Sequence, residues 1–306
     1  MGWEASGSAA FVDSIAQGTL KQPMLASVAP TRCFAVLTVD LEDWYHVCGQ
    51  AMPLAAPQQS RVMQATSSVL ALLQQAGVKA TFFVLGAVAE QFPQLIVQIA
   101  AQGHEIASHG WSHTPVTELT PAAFKDELER TSHLLQQLTG QRPYGFRAPR
   151  WSLSRSATPW AFELLARLGY RYDSSLTPLA LIGDPKGPKG PYCVETSSGR
   201  LWEVPPLVTS TWWGNLPTGG GWGFRFFPLQ LISATMRTYL RNQQPAILFV
   251  HPRELDPTGP RLALGRMREF VTYGTRRSAA GRLGQLLQTL QFRTMAEQAA
   301  LCHSVS

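Results

Sequence analysis

The 306-residue chain has no run of about 18 apolar residues, so nothing in it reads as a membrane-spanning helix. Cysteine is scarce: Cys33, Cys48, Cys193 and Cys302 stand far apart with no C-x-x-C pair. This argues against a disulfide framework or a structural cysteine–zinc site, and reads as free thiols in a reducing compartment. The opening stretch, rich in Ser, Ala and Gln up to about Ala29, lacks the basic start and clean apolar run of a secretory signal. Residues 1–32 are therefore expected to form a loosely ordered lead-in, and the expected compartment is the cytoplasm. There is no internal repeat and no low-complexity tract. The glycine run at 219–223 lacks the Lys-Ser/Thr of a phosphate loop and reads as a turn bringing Trp222 towards a site. The formal charge is a moderate +6, and no nucleic-acid partner is expected. The arginines concentrate in the last quarter, at 261, 266, 268, 276, 277, 282 and 293. They suit contact with an acidic polymer or a membrane surface; the favoured reading is a solvated helical face.

What is present is an alternation of short β-prone runs with helical periodicity. Strands are expected at 34–39, 80–85, 104–108, 145–149, 170–174, 201–204 and 246–250. Helices are expected at 62–75 with Gly77 as its stop, at 87–101, from a Thr120 cap with Pro121 at the first position to Gly140, at 159–168 and at 280–290. Residues 178–198, rich in Gly and Pro, read as a long loop. Strand–helix alternation predicts an α/β fold with a parallel sheet, and more than six such units favour a barrel of about seven parallel strands. A barrel places its chemistry at the C-terminal ends of its strands. Asp40, Glu42, Asp43, His109, His113, Arg147 and His251 all fall there.

His109 and His113 lie in S-H-G-W-S-H-T. On a helical turn, that spacing puts both imidazoles on one side, where they reach one metal ion. Zinc takes such nitrogens at about 2.0–2.1 Å, and a catalytic zinc adds a carboxylate and keeps one position for water. The bland alternative is two histidines on a solvated turn. Gly110 stands where the metalloprotease version of the motif has its basic Glu, so a base must come from elsewhere. In T-V-D-L-E-D-W, three acids crowd the end of the first strand and need a cation, a proton or exposure; beside two histidines they offer a metal ligand and a base. Arg147, in G-F-R-A-P-R-W, suits pairing with a carboxylate, whereas Arg150 reads as a surface ion-pair residue. His251, directly after the strand I-L-F-V, suits a general acid.

This ordered set resembles the polysaccharide deacetylase family, also called the NodB-homology or carbohydrate esterase family four, over about 34–257. The family pattern is an aspartate pair after the first strand, then S/T-H-x-x-x-S/T-H, then R-x-P, then a late strand ending in His. Here these are Asp40 with Glu42 and Asp43, the segment from Ser108 to His113, Arg147-Ala148-Pro149, and Leu248-Phe249-Val250-His251. The resemblance implies a distorted (β/α) barrel, a divalent metal, most simply Zn2+, and hydrolysis of the N-acetyl group of an amino sugar in a polysaccharide or oligosaccharide. It implies Asp40 as base, Arg147 as its orienting partner, His251 as acid, and metal held by His109, His113 and an acid. Leu41 interrupts the aspartate pair. If the strand continues, Asp40 and Glu42 share a face and Glu42 is the ligand; a turn after Glu42 favours Asp43, which is slightly preferred as the family's residue type.

The stretches W-E-V-P-P, G-G-G-W-G-F-R and H-P-R-E-L-D-P, with the Arg-rich tail, resemble the exosortase-associated exopolysaccharide subgroup, which implies association with the envelope polysaccharide machinery. One domain is expected over 33–306, with a helical, Arg-rich extension from about 258. Among the tryptophans at expected rim loops, Trp44, Trp111, Trp151 and Trp222 are expected to face the N-acetylated glycan. Two rivals remain: a hydrolase of small amides or ureides, as in the allantoinase-like branch of the fold, and a non-catalytic glycan-binding module.

Overall fold

A computed structural model describes residues 33–49, 60–180, 182–261 and 263–303. The expected lead-in at 1–32 lies outside them, as does the side chain of Cys48. The first strand, β1 (Ala35–Leu41, AVLTVDL), is buried at every position. Ala35, Leu37, Val39 and Leu41 pack into the large apolar cluster shared with the surrounding helices, while Val36 joins an inner cluster with Phe83, Tyr172 and Ile247. This alternation points Thr38 and Asp40 inward with Val36. Each aliphatic side chain so buried contributes about 1.5–3 kcal/mol.

Around β1 stand β2 (Thr81–Val84), β3 (Glu105–Ser108), β4 (Gly145–Phe146), β5 (Tyr172–Asp173), β6 (Tyr192–Thr196), β7 (Gly199–Glu203) and β10 (Ala246–Val250). Their order is β10-β1-β2-β3-β4-β5-β7-β6. Seven run parallel, and β6 pairs antiparallel with β7 at the edge. The expected loop at 178–198 thus contains a strand: its Gly/Pro-rich first part hides the β-prone Y-C-V that follows. A separate hairpin is made by β8 (Thr209–Thr211) and β9 (Gly214–Leu216).

The architecture is a distorted (β/α) barrel. It does not close as a regular ladder, because Pro205 and Pro206 follow β7 and neither can donate a backbone hydrogen bond. The chain closes the seam with single contacts instead: Leu207 N–H donates to Ile247 O at 2.9 Å, and Phe249 N–H to Gly219 O at 2.8 Å. The glycine run is built for this approach. A Cβ on Gly219 would lie 2.4 Å from Leu207 O, one on Gly220 2.2 Å from Phe249 O, and one on Gly223 1.6 Å from Pro217 O. The run is thus a seam between backbones rather than only a turn.

The outer helices are α1 (Val62–Ala76), α2 (Gly86–Gln91), α3 (Pro93–Ala101), α4 (Pro121–Thr139), α5 (Pro159–Arg167), α6 (Gly221–Phe226), α7 (Leu229–Arg241), α8 (Arg266–Tyr273), α9 (Ala279–Leu287) and α10 (Met295–His303). The caps are as expected. Gly77 and Gly140 end α1 and α4 with φ of 65° and 73°, and the Thr120 side chain accepts from Ala123 N–H. The single helix expected at 87–101 is two, broken at Phe92 because Pro93 cannot continue the hydrogen-bond ladder. From 258 onward the chain folds back: β11 (Phe292–Arg293) pairs with β1, and Met295, Ala299 and Cys302 of α10 join the inner cluster. No helix among the described residues is long and apolar enough to cross a membrane.

Candidate active site

The C-terminal strand ends converge on one rim. Glu42, His109 and His113 each present one ligand atom, all within 4.8 Å of one another. Leu41 ends β1, and the strand's alternation carries Glu42 onto the inner side with Asp40. His109 follows β3. The two histidines are not on a helical turn: a loop with Gly110 at φ 77° and His113 at φ 64° folds the second ring back to 5.6 Å from the first.

His109 Nδ1 lies 2.8 Å from the Arg147 carbonyl. A carbonyl only accepts, so Nδ1 carries the proton and Nε2 presents its lone pair to the cleft. Burial drives the His109 pKa down to about 4, against the opposing pull of Asp40, so the ring is neutral at pH 7. Glu42 Oε2 lies 2.7 Å from His113 Nε2, yet no donor is aligned with this buried oxygen among the described residues. Two imidazoles and an orphaned carboxylate oxygen form a donor set that fits a divalent cation. Burial raises the Glu42 pKa, but His113, His251 and Arg253 outweigh it and hold the carboxyl well below its ordinary value.

Asp43 is not part of this set, which corrects the slight preference for it. Its carboxylate instead accepts from Trp44 N–H at 2.8 Å, Arg61 N–H at 3.0 Å and the Ser60 hydroxyl, tying the end of β1 to the start of α1.

Asp40 sits beside this triad. Arg147, wholly buried, donates to Asp40 Oδ1 at 2.7 Å, Thr38 Oγ1 at 2.7 Å, Ser174 O at 3.0 Å and Ser174 Oγ at 2.9 Å. Burial pushes the Asp40 pKa up; Arg147, then His109 and His251, overcome it and lower it. Arg147 is therefore a buried clamp, not a surface ion-pair residue. Arg150, expected to be one, is exposed and makes no ion pair among the described residues. It and Trp151 hold left-handed backbone conformations, φ 56° and 57°, which for non-glycine residues are strained.

His251 follows β10. Its Nδ1 lies 2.6 Å from Glu254 Oε1, and its Nε2 lies 3.8 Å from Asp40 Oδ2 and 3.5 Å from Glu42 Oε1. Glu254 is buried, with Arg225 3.4 Å from its other oxygen, and Arg253 donates to Glu42 Oε1 at 2.8 Å. Burial raises the Glu254 pKa, but the His251 hydrogen bond and neighbouring cations lower it overall.

Residues 56–172 match the family model described as Polysaccharide deacetylase, and residues 174–300 match one described as Domain of unknown function (DUF3473). Over residues 56–172 the chain is thus similar to the polysaccharide deacetylases. A peptidoglycan-N-acetylglucosamine deacetylase from Bacillus cereus is 34% identical over 101 residues, 33% of this chain and 37% of the relative. The matched segments span about a third of the length of such curated relatives. A solved structure from Mycobacterium smegmatis, assigned to the polysaccharide deacetylases, superposes with a TM-score of 0.62 at 22% identity, covering 94% of this chain and 95% of that one. One from Pseudomonas aeruginosa gives 0.61 at 18%, covering 88% and 90%. These two likenesses concern the fold.

Of the four candidate platforms, Trp151 stands nearest the Asp40–Arg147 pair, 5.1 Å from the Arg147 guanidinium and 4.9 Å from Phe249. Trp111 is engaged on the outside, with the Arg130 guanidinium 3.4 Å over its ring and Gly86 against it. Trp44 is buried, and Trp222 stacks on Phe226 beside Phe227 and Phe270. The exposed pair is Trp212 and Trp213, at 91% and 64%, on the β8–β9 hairpin. Glu254, Arg253 and Arg225 escaped the sequence reading, although all three lie in stretches it singled out. So did His46, which accepts from Asp43 N–H at 3.0 Å, has its ring 5.3 Å from His113, and has a pKa pushed down to about 4 by burial.

Proposed function

We propose that the chain is a metal-dependent hydrolase that removes the N-acetyl group of an amino sugar within a polysaccharide or oligosaccharide, releasing acetate. The observation that supports this most is the meeting on one rim of a two-histidine, one-carboxylate donor set, a carboxylate clamped by a buried arginine, and a histidine oriented by a buried glutamate. Glu42, His109 and His113 would hold the ion, zinc being the cation best suited to two imidazoles and a carboxylate. When bound, such an ion supplies Lewis-acid polarisation of water and of the acetamide oxygen.

The remaining work belongs to the chain. Asp40, kept ionised and aimed by Arg147, takes a proton from the attacking water as the new C–O bond forms. His251, with Nδ1 held by Glu254, directs Nε2 into the cleft and gives its proton to the amine nitrogen as the C–N bond breaks. The products are acetate and a free amino sugar. The deacetylase relatives support a glycan substrate, and the resemblance to the exopolysaccharide-associated subgroup supports an exopolysaccharide.

The test is acetate release from N-acetylated chitooligosaccharides by zinc-loaded protein. Release that a chelator stops, and that Asp40→Asn lowers by about 10²–10⁴-fold while metal content stays constant, is the expected result. Turnover of cyclic amides or ureides without acetate release replaces it with the small-amide reading. Glycan binding by metal-loaded protein with no acetate release leaves a binding module.

A further inference from the structure

Beside the rim, beyond His251, lies a second concave site, a cavity of about 700 Å³ lined by Pro257, Arg261, Arg266, Glu269, Tyr273, Arg276 and Arg277 among others. Four arginines and one acidic residue thus line it. Arg276 distinguishes this cavity from an ordinary solvated basic face. Its side chain is only 4% exposed, and its Nε and Nη2 are buried with no hydrogen-bond partner among the described residues. Only Nη1 is placed, 3.3 Å from Arg253 O. A buried guanidinium with two idle donor nitrogens is costly. Burial, then Arg261, disfavours its charged form, as Arg225 does less strongly; Tyr273, whose ring lies 4.9 Å from the guanidinium, and Asp256 oppose them. Asp256 is already engaged by Arg61 Nε at 2.8 Å and Nη2 at 2.9 Å. Glu269 accepts from Leu264 N–H. Arg276 is therefore left at the cavity wall with no carboxylate partner among the described residues.

We infer that this cavity binds the oxyanion of an acidic substituent, carboxylate or phosphate, carried by the glycan substrate. The inference rests on the deacetylase reading and adds a substrate class to it. Guanidinium groups bind both oxyanions through paired N–H donors. The cavity is also physically joined to the catalytic rim. Arg276 touches Arg253, which holds Glu42. Arg225, the partner of Glu254, donates to Val271 O at 2.6 Å and to Gly274 O, fixing the cavity wall. A polymer lying across the rim can thus place one sugar at Asp40 and His251 and an acidic neighbour against Arg276. Exposed Met267, Phe270 and Val271 on α8 also suit a lipid surface, but a concave site around a buried arginine favours a discrete anionic group.

The test is calorimetric binding to the full-length, zinc-loaded protein. The probes are an oligosaccharide alternating N-acetylglucosamine with a uronic acid, neutral tetra-N-acetylchitotetraose, inorganic phosphate, and vesicles containing anionic phospholipid. The expected result is at least about tenfold tighter binding of the acidic than of the neutral oligomer. That gap should close in Arg276→Gln and in Arg266→Gln/Arg277→Gln; the second variant alters only exposed side chains and guards against a folding defect in the first. Phosphate binding with the same arginine dependence, and no preference for the uronate, assigns the oxyanion to a phosphate. Equal affinity for acidic and neutral oligomers together with no phosphate binding overturns the inference, as does a gap that survives both variants. Binding to anionic vesicles alone overturns it in favour of a membrane surface. Acetate release from the neutral oligomer reports separately on the deacetylase reading.

Discussion

The strands from β1 to β4 and the chain after β5 divide the rim between them and support their functional groups differently. On the first side, Asp40, Glu42 and His109 are set by strand alternation and by short backbone contacts, such as that of His109 Nδ1 with the Arg147 carbonyl. On the second, His251 depends on a chain of buried charges, Glu254 and then Arg225, reaching into the wall formed by α8. In the proposed reaction the first side would offer the donor set and the base, and the second the acid and the groups that aim it. Metal holding should therefore fail with lesions on the first side, and proton delivery with lesions on the second.

The largest expected effect tests the first half of that division. His109→Ala removes one of three donors and should abolish stoichiometric zinc by atomic absorption, with acetate release falling by about 10³-fold or more. A variant that stays fully active without metal removes the donor set from the reaction. Next is the seam on the second side. Gly223→Ala puts a Cβ where Pro217 O stands, 1.6 Å away, whereas Gly281→Ala in α9 meets nothing within 4 Å. The first should cost about 3 kcal/mol of stability, and the second should be neutral or add about 0.4–1 kcal/mol. Equal denaturation midpoints for the two would show that the glycine seam does not close the barrel. Smaller again is Glu254→Gln, expected to lower kcat by about 10–100-fold while zinc content is kept. Loss of zinc in that variant would erase the distinction between the two sides.

How much of this was legible in the sequence follows the same division. The β1 run, the Thr120 cap and the glycine stops are local, and they could be read directly. The strand-end residues could also be read, because a buried strand followed by a polar residue has few places to go. Glu42 against Asp43 could not be settled, since one turn reverses the outcome; the structure shows the Asp43 carboxylate taken up by the Trp44 and Arg61 amides. Nor could Arg276 or the Arg225–Glu254 pair be found, because their partners lie tens of residues away and the Arg-rich composition of the last quarter made Arg276 look solvated. The tryptophans misled for a related reason. An aromatic ring reports apolar surface, and whether that surface meets a sugar, or Arg130 as at Trp111, is a tertiary fact.

A last effect lies where the two sides join. Asp173 of β5 faces Glu203 of β7 in register, both are buried, and Asp173 Oδ2 and Glu203 Oε2 are without hydrogen-bond partners among the described residues. Burial, then the Asp173 charge, raises the Glu203 pKa well above its ordinary 4.5, and burial raises that of Asp173 too. The pair holds a proton that the unfolded chain would release. Stability is therefore fully present below the unfolded value and is lost as pH rises through the raised, folded one, at about 1.4 kcal/mol per pH unit across that window. Glu203→Gln keeps a donor beside Asp173 at every pH and removes this slope. Urea midpoints at pH 5 and pH 8 should differ more for the wild type than for the variant, with the variant the more stable of the two at pH 8. Parallel pH dependence in both proteins would mean that the carboxylates share no proton and that the junction is held by the backbone ladder alone.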